Sequence, residues 1–404
     1  MKSKQETVLE DFMQRSFGAA FLYEPTRIAR GKQGSVQPAD LAWVDKDYTF
    51  VALFYMQESI EGLDKQIEHN QRQADGYLRL WSQKGPRFGL RGVNRYDDRC
   101  YVPFGNVQLL IRFLVVSAEC GVEIEPSYKS AVSNVTLCIP DRLIHWVSTF
   151  RGTIVDLLRI ADTYLNIAEL PPDHDSRFRL LQDCANRYVQ NAIAMADPQR
   201  EYFTGSMAAV YDLILEYVSR MRMSPSLGEL GPGPWLVRST VGMPAAPAPF
   251  EGSEMPPNRA RPHSARIFCD LSLDDYFNLA AASERVIRES LSTNFSDPIL
   301  VVQRSLYYPF AIFASHTNTG VVDDATRAVL QVEVDRRKKL VFDALTNSNG
   351  AMDCLLLYFT DMAGRDYRVP LMVALPPNPP RPQAHILAER LIERARGIQP
   401  RGAA

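Results

Sequence analysis

Residues 39–56 read ADLAWVDKDYTFVALFYM. ADLAWV and YTFVALFYM are short and rich in aromatic and branched residues, and the DKD between them is a turn signal, so the stretch predicts a β-hairpin. The second strand is apolar almost throughout, which suits a strand covered on both faces. Upstream, AAFLYEP (19–25) reads as another strand, set off by the turn-rich GKQGSVQP (31–38). Residues 5–16 predict a helix, with Val8, Leu9, Phe12 and Met13 at helical spacing. Downstream, EGLDKQIEHNQRQADGYLRLW (61–81) predicts a long polar helix with Leu63, Ile67, Tyr77, Leu78 and Trp81 on its buried side.

The pattern continues as a loop, KGPRFGLRGVNRYDDRCYVPFG (84–105), and a strand, VQLLIRFLVVSA (107–118). NVTLCIPDRLIHWVS (134–148) reads as a further strand, with His145 as a core histidine. TIVDLLRIADTYLNIAEL (153–170) predicts a helix stopped by Pro171-Pro172. Strands and helices in this order specify an α/β fold, a mixed sheet flanked by helices.

Beyond residue 172 the composition changes. Residues 173–222 predict a helical segment, and 223–262 are dense in Pro and Gly and read as a linker. Residues 263–404 predict a second, α+β domain. It has a helix start capped by Ser272 with Asp275 three residues on, and a strand at ILVVQRSLYYPFAIFA (299–314). A long helix follows over about 321–346, then a hairpin turning at Ala363-Gly364 and a last amphipathic helix over 384–396.

At 404 residues the chain is too long for one typical core. Apolar residues make up 46% and charged residues 23%, the composition of a folded protein. The net charge of −2 argues against coating nucleic acid or anionic membrane non-specifically, but a local basic groove is compatible with it. The six cysteines form no CxxC pair, so neither a zinc site nor a disulfide framework is indicated. The start, MKSKQETVLEDFMQ, lacks the apolar core of a secretion signal, and the most apolar stretch carries Arg112 and is too short to span a bilayer. The expected compartment is a reducing cytoplasm, with no membrane partner.

The acids fall in a pattern. Glu10 lies on the first helix and Asp40 opens the first strand of the hairpin. LFYMQES (53–59) closes the second strand, and Lys65 lies on the helix that follows. Helix, strand, hairpin, helix, strand with acids at these places resembles the core of the PD-(D/E)XK (restriction-endonuclease-like) nucleases. The resemblance covers roughly residues 5–165 and implies a restriction-endonuclease-like domain over 1–172. In that family a helix acid, an Asp on one strand and an E-x-K on the next hold a divalent metal that activates water and stabilises the leaving phosphate oxygen. Carried over, Glu10 and Asp40 would be metal ligands, with Mg²⁺ or Mn²⁺ as cofactor. Gln57 stands at the lysine position, and Lys65 is the candidate for a lysine moved to the next helix. Tyr55 stands where the glutamate belongs, which removes a ligand; Glu58 points to the other face of a regular strand.

The resemblance thus implies a divergent nuclease-like protein acting on or binding DNA or RNA, a metal-dependent phosphodiesterase if active. The alternative is a non-enzymatic platform for a protein partner or a second copy of the chain, as in a bacterial or phage conflict system. The loop at 84–101 favours nucleic acid: Arg87, Arg91, Arg95 and Arg99 alternate with aromatic residues including Tyr96, which suits a phosphate backbone and unstacked bases. Each feature also has a structural explanation. Asp40 after Pro38-Ala39 can cap a turn, Glu10 can favour a helix N-terminus, Lys65 can be a solvated helix residue, and the arginines can pair with Asp97 and Asp98.

Overall fold

The computed structural model describes residues 4–16, 21–29, 35–45, 49–57, 62–83, 88–95, 99–150 and 152–196. Further along it describes 270, 272–275, 299–304, 309–317, 325, 332, 355–362, 372–374 and 381–397. The chain divides into two compact units. One comprises Met1–Tyr188 with Pro382–Ala404, the other Val189–Arg381. The linker expected at 223–262 and the helix at about 321–346 lie outside the described residues, save Ala325 and Val332.

The first unit is a mixed α/β structure. Helix α1 (Lys4–Arg15) leads into β1 (Leu22–Pro25), a small ribbon of β2 (Ile28–Ala29) and β3 (Ser35–Val36), and the hairpin β4 (Leu41–Val44)–β5 (Phe50–Met56). Helix α2 (Leu63–Gln83) carries the chain to β6 (Leu90–Asn94), β7 (Arg99–Val102) and β8 (Leu109–Val116). Strands β9 (Glu123–Glu125) and β10 (Ser133–Pro140) follow, then helices α3 (Asp141–Thr149), α4 (Ile154–Leu165) and α5 (His174–Ala196), of which the part up to Tyr188 belongs to this unit. Eight of these strands form one sheet in the order β7-β6-β1-β4-β5-β8-β10-β9. β4 pairs antiparallel with β1 and β5, whereas β5 and β8 run parallel, joined through α2, as do β8 and β10.

The hairpin forms where the sequence places it, and Asp45 closes its turn. The Asp45 carboxylate accepts the backbone N–H groups of Thr49 (2.8 Å) and Phe50 (3.2 Å) and the Thr49 hydroxyl (2.9 Å). Every residue of β5 is buried, because helices cover both faces. Val51, Leu53 and Tyr55 pack with Ala74, Tyr77, Leu78 and Trp81 of α2. On the opposite face Phe54 meets Phe12 of α1 and stacks on Phe113 at 4.8 Å. Burying side chains of this size supplies about 1.5–3 kcal/mol each, so this two-sided core fixes the strand register.

Two segments of the first unit differ from the sequence expectation. The strand expected through 134–148 ends at Pro140, and Asp141 begins α3. Proline cannot extend a ladder but is tolerated at a helix start, and Asp141 favours the helix N-terminus. His145 therefore stands exposed on a helix and is not a core histidine. The loop expected at 84–101 contains an antiparallel pair, β6–β7, at the sheet edge.

The last helix, α6 (Gln383–Ala395), belongs with the first unit and packs on α4. Arg159 donates to Gln383 at 3.1 Å and Arg394 to the Leu165 carbonyl at 2.7 Å. The His385 ring nitrogen lies 2.8 Å from the Asp45 carboxylate, with Phe50 edge-on to the imidazole. In the second unit, β11 (Ile299–Arg304), β12 (Pro309–Thr317), β13 (Leu355–Met362) and β14 (Met372–Ala374) form a four-stranded sheet in that order. The single strand expected over 299–314 is thus an antiparallel pair, β11–β12, with Pro309 at the start of β12. Ser272 and Asp275 make the expected reciprocal cap: Ser272 N–H donates to the Asp275 carboxylate at 3.1 Å and Asp275 N–H to the Ser272 hydroxyl at 3.3 Å.

Candidate functional site

Asp40 immediately precedes β4, and its main chain already belongs to the hairpin, with its N–H donating to the Phe54 carbonyl at 2.9 Å. Its carboxylate accepts the Met56 N–H at 2.8 Å and, more weakly, the Gln37 amide at 3.4 Å. Asp40 therefore sits against the 55–57 end of β5. Burial pushes its carboxyl up to about 6, against the opposing pull of the Met56 N–H. Tyr55 is wholly buried on the α2 face of β5, and burial pushes its phenol far above the ordinary range. Gln57 follows the end of β5 and is partly buried. Lys65 is exposed on α2. Glu10 is partly buried on α1, the helix whose Phe12 packs on the Phe54 face of β5, opposite the Tyr55 face. Glu58 lies outside the described residues.

This donor set does not fit a catalytic Mg²⁺ or Mn²⁺ centre of the expected kind. Such an ion is held by carboxylates that offset its dehydration. Here Asp40, the carboxylate that the described residues place at the strand end, already accepts a backbone N–H and is pushed by burial up to about 6, and its neighbour Tyr55 is a neutral phenol. Among the described residues no group of three His, Cys, Asp or Glu side chains is arranged to hold a metal.

The basic and aromatic residues stand on β6 and β7. Leu90, Cys100 and Val102 point into the α2 core, so the alternate residues point outward. Arg91 pairs with Tyr101 across the strands and Arg99 with Val93. The Arg91 guanidinium lies 5.3 Å over the Tyr101 ring, and Tyr101 is 38% exposed. Gly89 makes this possible: a Cβ there would come within 2.4 Å of the Tyr101 ring. Arg91 also borders a cavity of about 230 Å³ with Thr26, Arg27, Ile28 and Ala29. Arg99 is exposed. Arg95 is instead tied back to α1, its guanidinium donating to the Gln14 carbonyl. Arg87 and Tyr96 lie outside the described residues.

A polar cluster that sequence reading passed over lies beneath α2. Arg112, in the middle of the most apolar stretch of the chain, is wholly buried on β8 and donates through Nη1 to Asp75 of α2. Gln71, one turn before Asp75, donates to both Asp75 oxygens at 3.2 Å and to the Pro126 carbonyl at 3.0 Å. Arg112 pairs with Leu53 and Tyr55 with Leu114, which makes Arg112 and Tyr55 diagonal neighbours on one face. The signal was a lone arginine in LLIRFLVV: a strand buried on both faces does not retain a charge without a partner.

No protein-family model matches this chain, and no curated protein or solved structure matches it.

Proposed function

We propose that this protein binds nucleic acid through the β6–β7 edge of a nuclease-like sheet and does not itself cut it. The observation that carries this reading is the exposed Arg91–Tyr101 pair, with Arg99 on the same strand as Tyr101 and Arg27 across the adjoining cavity. Guanidinium groups neutralise backbone phosphates, and an aromatic ring offers a stacking surface to an unpaired base of any sequence. The likeness to PD-(D/E)XK nucleases is inferred from the order α1, β1, the β4–β5 hairpin, α2 and β8, which the β2–β3 ribbon and the β6–β7 pair interrupt. Fold likeness alone does not carry activity, and among the described residues no group of three His, Cys, Asp or Glu side chains stands at the strand end to hold a metal.

The test is a paired assay on labelled single- and double-stranded DNA and RNA, in Mg²⁺ and then Mn²⁺, with wild type and Asp40→Ala. Retarded but uncut oligonucleotide with both proteins is the expected result. Metal-dependent cutting lost in Asp40→Ala would show an active nuclease. No retardation of any nucleic acid would leave the same surface to a protein partner or a second copy of the chain.

A further inference from the structure

The cluster beneath α2 is incomplete as a set of protein groups. Four buried polar atoms have no hydrogen-bond partner among the described residues: Arg112 Nε, Arg112 Nη2, the Tyr55 hydroxyl and Gln71 Oε1. The residues that carry them are linked by bonding and register. Arg112 and Gln71 both bind Asp75, and Tyr55 lies diagonally across from Arg112 on the same face. Arg112 and Tyr55 are completely excluded from solvent, and Tyr55 shares its core with Ala74, the smallest buried residue of α2. An unpaired buried donor or acceptor is destabilising, more so when it is charged, so four together call for a partner.

The chemistry of the four atoms is specific. Nε and Nη2 are the two parallel donors of the side-on guanidinium fork, the geometry that takes two oxygens of a carboxylate or phosphate. The Tyr55 hydroxyl is a third donor. Gln71 Oε1 is an acceptor, because the Gln71 amide nitrogen is already committed to Asp75 and Pro126. Asp75 keeps Nη1 and adds negative charge at one side, which disfavours a fully ionised guest. We propose that Arg112, Tyr55 and Gln71 form an interior site for a phosphate group carrying one proton. Two oxygens meet the Arg112 fork, Tyr55 donates to the same group, and the P–OH donates to Gln71. The Asp75 side chain is 28% exposed, so the guanidinium lies one side chain away from water. This site is separate from the β6–β7 surface and does not depend on it.

The probe is inorganic phosphate, titrated into the full chain by calorimetry and thermal unfolding, with chloride at matched ionic strength as control. Wild type is expected to bind saturably and to melt at higher temperature in phosphate than in chloride. Tyr55→Phe and Gln71→Leu, which leave the Arg112–Asp75 pair intact, should each weaken binding by about tenfold. Arg112→Met should abolish it; should that variant fail to fold, the two milder ones decide. A nucleoside 5′-monophosphate added to the phosphate-saturated protein separates free phosphate from the terminal group of a larger molecule, since only the second competes. No saturable binding would mean that ordered water fills the cluster and would overturn the proposal. So would binding unchanged by Tyr55→Phe and Gln71→Leu, which would put phosphate on surface arginines.

Discussion

The Asp40 carboxylate accepts the Met56 N–H at 2.8 Å, so the first residue before β4 ties down the last residue of β5. Sequence reading casts Asp40 as a metal ligand or as a turn cap. The bond makes it at least a cap of the hairpin's open end, and a carboxyl so engaged and so buried is poorly suited to a dication.

Asp40 should leave a pH signature on stability. Its folded carboxyl holds a proton up to about pH 6, against an ordinary value of 3.8. A raised carboxyl pKa favours the folded state fully below the ordinary value, and that contribution is lost as pH rises through about 6. Urea unfolding of wild type should therefore lose up to about 3 kcal/mol from this group between pH 4 and 7. Asp40→Asn keeps an acceptor for Met56 and should flatten that slope.

The Arg112–Asp75 pair should respond asymmetrically to substitution. Asp75→Ala strands a buried guanidinium and should cost about 3 kcal/mol, since breaking one half of a buried pair leaves an uncompensated charge. Arg112→Met with Asp75→Leu removes both charges and should cost far less. Denaturant midpoints of the two singles and the double close the cycle, and additive losses would mean the pair is not coupled.

Helix α6 should depend on the Asp45–His385 contact. Burial raises the Asp45 carboxyl, but the bond and charge of His385, with the Phe50 N–H and the Thr49 hydroxyl, outweigh it and hold the carboxyl below its usual value. A depressed carboxyl stabilises above the ordinary pKa and loses that effect only as pH falls beneath it, opposite in sign to Asp40. His385→Ala at neutral pH should speed amide exchange in 383–395 and leave β8 and β10 protected. Exchange unchanged in α6 would show that Leu387, Ala388, Leu391 and Ile392 hold it alone.

The buried cysteines should be inert. Burial pushes the Cys100 thiol up to about 12 and Cys184 upward, while the bond to Cys120, then burial, raise Cys138 further still. Thiolate is the reactive form, so at pH 8 about one Cys100 in ten thousand is ionised. Native protein should label at none of Cys100, Cys120, Cys138 and Cys184 on a timescale that labels all four in urea.

The hairpin and α2 are legible in the sequence because their signals are local: an apolar run broken by DKD, and a 3.6-residue stripe over 63–81. The β6–β7 pair is harder to read, since its large apolar buried residues are Leu90, Cys100 and Val102 alone, beside buried Gly92 and Asn94, and it shows Arg91, Arg99 and Tyr101 to water. The alternation is real, but arginine and glycine disguise it as a loop. The Arg112 cluster and the docking of α6 are illegible for another reason. Asp75 lies 37 residues from Arg112 and Asp45 lies 340 from His385, and no local period reports a partner at that distance.

The most direct test of nucleic-acid binding at the β6–β7 edge is a fluorescence-anisotropy titration of a labelled single-stranded oligonucleotide at two salt concentrations. Wild type is compared with Arg91→Glu, Arg99→Glu and Tyr101→Leu. Binding should weaken steeply with salt, the two charge reversals should each reduce both affinity and salt slope, and Tyr101→Leu should reduce affinity with the slope unchanged. Wild-type binding that none of the three substitutions alters, or no binding at low salt, would contradict the assignment of this surface.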